Sequence, residues 1–270
     1  MMDCLWEGLL ESPIKGRISK PRSYGITMLI DKGLSLSETN SLLEMNNCYV
    51  DFIKLTFGTT ALYPPAILNK KIKMVEDFGV NLYPGGTFYE IAHWQGKTSE
   101  YFAKLVEIGF KWVEISDGTL EIPTTERKRT IKEAQTAGLQ VITEVGKKDS
   151  CNQPDDCYLV NNALRDLESG AIWVIIEARE SGQGIGIYDS KGKIITEKLN
   201  RLSQSLPLEK VIWEAPLKSQ QAQLINDFGP NVNLGNIPPS EIMPLEALRL
   251  GYRNDTWNPN AHFNSEVSFI

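Results

Sequence analysis

Two hydrophobic rhythms alternate along this chain. Short apolar runs, β-branched and nearly continuous, recur at Gly25–Ile30, Val50–Leu55, Val80–Tyr83, Trp112–Ile115, Gln140–Thr143, Ala171–Ile176, Lys210–Trp213 and Asn231–Leu234. Such runs suit strands of a parallel sheet buried on both faces. Between them lie helical stretches at Leu36–Asn46, Pro64–Phe78, Thr98–Ile108, Pro123–Ala137, Asp156–Glu168, Thr196–Leu206, Ser219–Phe228 and Ser240–Arg249. Pro123-Thr124-Thr125-Glu126 has the composition of a helix start. Several helices end on glycine with an apolar run directly after it, as at Ile108-Gly109-Phe110 and Ser169-Gly170-Ala171. Glycine there fits a left-handed C-terminal cap, which other residues adopt only with strain.

Strict alternation of eight strands with eight helices predicts an α/β fold around a parallel sheet. The 270 residues are close to the roughly 250 of one (β/α)8 TIM barrel. No GxGxxG follows the first strand, which argues against a dinucleotide fold. Residues 1–270 therefore read as a single TIM-barrel domain, with 1–19 as an N-terminal extension and 257–270 as a tail.

Composition narrows the function classes. The chain is 41% hydrophobic and 23% charged, with a net charge of −6, so it lacks the basic face of a nucleic-acid binder. No apolar run approaches the ~18 residues needed to span a bilayer, and residues 1–20 have no signal-peptide core. Cys4, Cys48, Cys151 and Cys157 lack the CxxC spacing of a zinc site. A reduced, cytoplasmic protein is expected, and a homo-oligomer stays open. His93, in an expected surface loop, and His262, in the tail, give no basis for a histidine triad or zinc centre.

In a TIM barrel the chemistry sits at the C-terminal ends of the strands. Here those ends carry Asp31 and Lys32, Lys54, Tyr83-Pro84-Gly85-Gly86-Thr87, Glu114, Glu144 with Lys147, Glu177 with Arg179, Glu214, and Gly235-Asn236. Glu114, Glu144, Glu177 and Glu214 would crowd one rim and repel unless cations intervene. A divalent ion with oxygen ligands, Mg2+ above all, would resolve this. Salt bridges to Lys54, Lys147 or Arg179 would resolve it without a metal. Arg22, Lys32, Lys54, Lys147 and Arg179 would together suit a multiply anionic substrate. The turn at Asn233-Leu234-Gly235-Asn236-Ile237 falls where such barrels often hold phosphate.

The same residues carry a family resemblance. The chain resembles phosphosulfolactate synthases from Lys20 to Thr256. The most specific stretches are Ile176-Glu177-Ala178-Arg179-Glu180-Ser181-Gly182 and Glu214-Ala215-Pro216-Leu217-Lys218-Ser219-Gln220-Gln221, with Asp51-Phe52-Ile53-Lys54 and Glu144-Val145-Gly146-Lys147-Lys148 beside them. Lys148–Asp156 and Trp257–Ile270 depart from the family pattern. The resemblance implies a Mg2+-dependent addition of sulfite to phosphoenolpyruvate, a reaction that feeds coenzyme M synthesis in some archaea. On that reading Lys147 is the first choice for the acid that protonates C2, and Lys54 the second. Metal ligands would come from Glu114, Glu144, Glu177 and Asp31. Arg22, Lys32 and Arg179 would hold phosphate or sulfite, helped by Gly235 and Asn236. Another enolate-forming barrel enzyme, or a non-catalytic stress-associated relative, are the alternatives.

Overall fold

The computed structural model describes residue 6 and residues 8–149, 151 and 153–257. Cys4, His262 and all of the tail beyond Trp257 lie outside them. The strands are β1 (Thr27–Asp31), β2 (Phe52–Leu55), β3 (Asn81–Pro84), β4 (Trp112–Ser116), β5 (Gln140–Val145), β6 (Trp173–Ile176), β7 (Val211–Glu214) and β8 (Leu234–Ile237). They form one sheet in the order β3-β2-β1-β8-β7-β6-β5-β4, and every ladder in it is parallel. At the seam between the end strands, Trp112 Nε1 of β4 donates to Asn81 Oδ1 of β3 at 3.1 Å. The architecture is the expected (β/α)8 barrel.

Nine helices surround it among the described residues: α1 (Leu36–Asn46), α2 (Pro65–Asp77), α3 (Gly86–Trp94), α4 (Thr98–Ile108), α5 (Thr124–Thr136), α6 (Asp156–Ser169), α7 (Thr196–Ser205), α8 (Lys218–Phe228) and α9 (Ile242–Arg249). Gly109 and Gly170 end α4 and α6 with φ of 100° and 110°, as their placement predicted.

Two elements differ from expectation. The Gly85-Gly86 pair reads as a loop, yet Gly86 opens α3. A Cβ at Gly86 would lie 2.3 Å from Ser116 Oγ, so close approach to β4 requires the glycine. His93, expected in a surface loop, instead lies in the last turn of α3, half-buried, with its ring 5.7 Å from that of Tyr89. The eighth strand runs Leu234–Ile237 rather than Asn231–Leu234. Asn233 is used as an anchor just before it: its Oδ1 accepts from Ile26 N at 2.9 Å, and its Nδ2 donates to Val211 O at 2.8 Å.

Because strand side chains alternate in direction, the barrel has two cores. One lies between strands and helices. The other fills the lumen with Ile26, Met28, Phe52, Tyr83, Trp112, Ile142, Trp173, Ile175 and Ile212. The Phe52 ring meets those of Trp112 and Trp173 edge-on at 4.9 and 5.5 Å. This apolar plug closes the lower lumen. Moving two residues up each strand gives Ile30, Lys54, Glu114, Glu144 and Glu214, which share the inward direction and line a cavity at the C-terminal rim.

Candidate active site

Lys54 is the hub of that rim. Its Nζ lies 3.0 Å from Glu114 Oε2, 2.9 Å from Glu144 Oε2 and 3.3 Å from Glu214 Oε1. Lys148 is a second cation, 3.3 Å from Glu144 Oε1, 3.7 Å from Glu177 Oε2 and 3.6 Å from Glu90 Oε1. Backbone amides fix the carboxylates in place. Gly86 N donates to Glu114 at 2.6 Å, Ala178 N to Glu214 at 2.9 Å and Arg179 N to Glu177 at 2.6 Å. These carboxylates are thus held by the backbone that follows β3 and β6.

Burial makes these charges strongly interdependent. For Lys54, burial disfavours the cation, but Glu114, Glu144 and Glu214 outweigh it and hold the ammonium well above the ordinary lysine range. Burial pushes Glu114 up to about 7 despite Lys54. Burial also acts against ionisation of Glu144, yet Lys54 and Lys148 hold it well below the usual carboxylate range. Glu177 is driven well up by burial and by the neighbouring Glu144 and Glu214, and Glu214 is raised mainly by burial. The ring therefore sets Glu144, shifted toward the ionised form, apart from Glu114, Glu177 and Glu214, shifted toward the protonated form, as acid–base sites do.

The same geometry suits a hard cation. Glu144, Glu177 and Glu214 each offer an oxygen within 4.8 Å of the other two. Glu144 Oε1 and Glu177 Oε2 are buried without a hydrogen-bond partner. An ion bound there would displace the protons that burial favours on Glu177 and Glu214. Mg2+, which takes a few carboxylates and leaves its remaining positions to water or substrate, fits this donor set.

The inner chamber around the ring has a volume of 130 Å3, and an outer chamber of 370 Å3 adjoins it. Ile30, Glu180 and Asn236 line both. Among the described residues, three that are not glycine have left-handed backbones: Phe57, Arg179 and Asn236, at φ 56°, 61° and 54°. All three line the inner chamber. Strain of this kind gathers at functional sites, where it aims side chains. Asn236 Oδ1 is buried and unpartnered.

The structure separates the expected site residues. Lys54, Glu114, Glu144, Glu177, Arg179 and Asn236 come together on the inner chamber, and Lys32 joins at its edge. Gly235 lies in the lumen wall, where a Cβ would be 2.4 Å from Met28 Cε, so its role is packing. Asp31 points outward to Lys71 at 2.5 Å and accepts from Gly33 N and Leu34 N at 2.7 Å each, away from the proposed metal. Arg22 binds Asp51 Oδ2 at 2.7 Å, ahead of β2 and so at the opposite end of the barrel. Lys147 turns from the ring to Asp117 O at 2.7 Å and Leu120 O at 2.8 Å.

The family profile of (2R)-phospho-3-sulfolactate synthase matches residues 15–255. The chain belongs to this family. The phosphosulfolactate synthase of Methanothermobacter thermautotrophicus is 48% identical over 89% of this chain and 94% of its own length. That of Methanocaldococcus jannaschii is 43% identical, over 86% of this chain and 94% of its own. Among solved structures, the 3-hexulose-6-phosphate synthase of Salmonella typhimurium has a TM-score of 0.56, with 12% identity, covering 84% of this chain and all of that one. That likeness concerns the barrel alone.

Two residues of this family member went unseen in the sequence reading. Lys148 is adjacent to Lys147, and only the turn at Gly146, φ 123°, decides which of the two faces the ring. Glu90 sits on the unexpected α3, buried, accepting from Ser116 Oγ at 2.6 Å and Thr119 N at 2.7 Å. Its signal is the helical spacing of Phe88, Tyr89 and Ala92 around it, obscured by the glycines at the helix start.

Proposed function

We propose that this chain adds sulfite to C3 of phosphoenolpyruvate to form phosphosulfolactate, with Mg2+ as cofactor, in the cytoplasm. The observation that carries the reading is the buried ring of Glu114, Glu144, Glu177 and Glu214 around Lys54, with Lys148 above it, in a chain of this family. Sulfite attack on C3 leaves negative charge that spreads from C2 into the substrate carboxylate. When bound, Mg2+ supplies Lewis-acid stabilisation of that charge. Glu144, Glu177 and Glu214 would hold the ion.

Lys148 takes the acid role in preference to Lys147. Its Nζ borders the chamber, and burial, which alone would lower its pKa, is overridden by Glu144, Glu177 and Glu90. It therefore carries a proton at the chamber wall, on one fixed side of C2. Lys54 keeps the ring compact. Lys32, Arg179 and Asn236 bind the phosphate and sulfite oxyanions.

Phosphorus NMR tests the reading. Phosphoenolpyruvate with protein, Mg2+ and sulfite should yield a new phosphate-ester resonance that vanishes when either Mg2+ or sulfite is omitted. An unchanged spectrum from folded protein rules the reaction out.

A further inference from the structure

The two chambers pose a size problem that the reaction alone does not solve. At 130 Å3 the inner chamber is the smaller of the two. Phosphoenolpyruvate, with its carboxylate, vinyl carbons and phosphate, must be accommodated together with sulfite. The inner chamber alone falls short of the ~300–1,000 Å3 usual for small-molecule sites, and the adjoining outer chamber brings the site into that range. One end of the substrate therefore lies in the outer chamber. The carboxylate and C2 must face Lys148 and the glutamate ring, which leaves the phosphate outside.

At the boundary stands an ion pair. Lys32 Nζ lies 3.0 Å from Glu180 Oε2 and 5.7 Å from the centre of the Phe57 ring. Lys32 lines the outer chamber, and Glu180 lines both. A carboxylate facing the mouth of an anion site opposes binding unless it is displaced. This one is replaceable: the two side chains are 55% and 43% exposed, and exposed pairs of this kind are weak and screened. A phosphomonoester dianion offers Lys32 more charge than Glu180 does.

We infer that the outer chamber is the phosphate subsite and that Glu180 sets its affinity by competing with the phosphate for Lys32. The inference rests on the reading of phosphoenolpyruvate as substrate, and it makes Glu180 a specificity-determining residue. Phosphate binding breaks the Lys32–Glu180 pair and turns Glu180 to solvent. Sulfite, held by the inner chamber, does not exchange with Glu180.

Calorimetric titration of the full chain tests this without turnover. Phosphoenolpyruvate, inorganic phosphate and sulfite are titrated separately, with Mg2+ present, into wild type, Glu180→Gln, Lys32→Met and the double variant. Glu180→Gln should tighten phosphoenolpyruvate and inorganic phosphate about two- to fivefold, the scale of an exposed ion pair, and leave sulfite unchanged. In the Lys32→Met background the same change should no longer tighten either. Equal tightening of sulfite, or tightening that persists without Lys32, would mean that Glu180 acts through its field, and overturns the inference. Wild-type protein that binds neither phosphoenolpyruvate nor phosphate overturns it as well. Binding with this pattern but no sulfite adduct by NMR would sink the proposed reaction and leave the subsite standing.

Discussion

Replacing Lys54 by methionine should expose how the ring is balanced. The side chain is nearly isosteric, so packing is kept and the charge is lost. Glu144 would then keep only Lys148, and Glu114 and Glu214 would lose the lysine that opposes their burial. Stranding buried charge in this way costs about 3–5 kcal/mol, a large part of the ~5–15 kcal/mol of a typical domain. At ~2–4 °C per kcal/mol for a chain of this size, Tm should fall by roughly 6–20 °C at pH 8. The deficit must depend on pH. Glu144, held below its ordinary 4.5, contributes stability that is present above that pH and lost as pH falls through its folded value. Removing Lys54 erases most of this contribution. It also raises Glu114 and Glu214 further, and a raised carboxyl favours folding at low pH. The Glu144 share is complete above pH 4.5 and so is nearly equal at pH 5 and pH 8. The Glu114 and Glu214 share grows as pH rises, so the gap to wild type is wider at pH 8 than at pH 5. Differential scanning calorimetry at pH 5 and pH 8 reads it. A Tm within about 2 °C of wild type at pH 8, or an equal deficit at both pH values, would refute the charge-balance argument.

Lys148→Met should cut kcat/KM by about 10²–10⁴, the scale of a lost general acid, with the fold intact by circular dichroism. Lys147→Met should keep turnover within about tenfold while losing about 1–3 kcal/mol of stability, because the Asp117 and Leu120 carbonyls lose their donor; the reverse ranking would return the acid role to Lys147. Gly235→Ala places a methyl 2.4 Å from Met28 Cε and 3.0 Å from Ile212 Cγ2. It should cost about 1–3 kcal/mol by overpacking, read as a lower urea midpoint at unchanged slope, and a neutral result would show that the lumen wall yields.

Local pattern carried the fold. Eight apolar runs with helices between them, closed by glycine caps such as Gly109, determine a parallel sheet. Strand alternation determines which residues enter the lumen. Ile30 pairs with Lys54 in the β1–β2 ladder, and Ser116 pairs with Glu144 in the β4–β5 ladder. A period of two from the apolar plug therefore places Lys54, Glu114 and Glu144 inward. It also turns Asp31, next to Ile30, outward to Lys71.

Tertiary structure decided what alternation cannot reach. Past the last hydrogen-bonded residue of a strand the period of two ends, so Gly146 rather than sequence spacing chose Lys148 over Lys147. The N-terminal segment carries Arg22 beneath the barrel, where Asp51 holds it, although nothing local in the sequence says at which end it lies. Glu90 reaches the rim only because Gly86 lets α3 approach Ser116. The strands could be read from neighbours along the chain. The site is assembled from loops whose directions depend on partners 26 to 36 residues away, such as Glu90 with Ser116 and Ala178 with Glu214. Those contacts form only when the barrel closes.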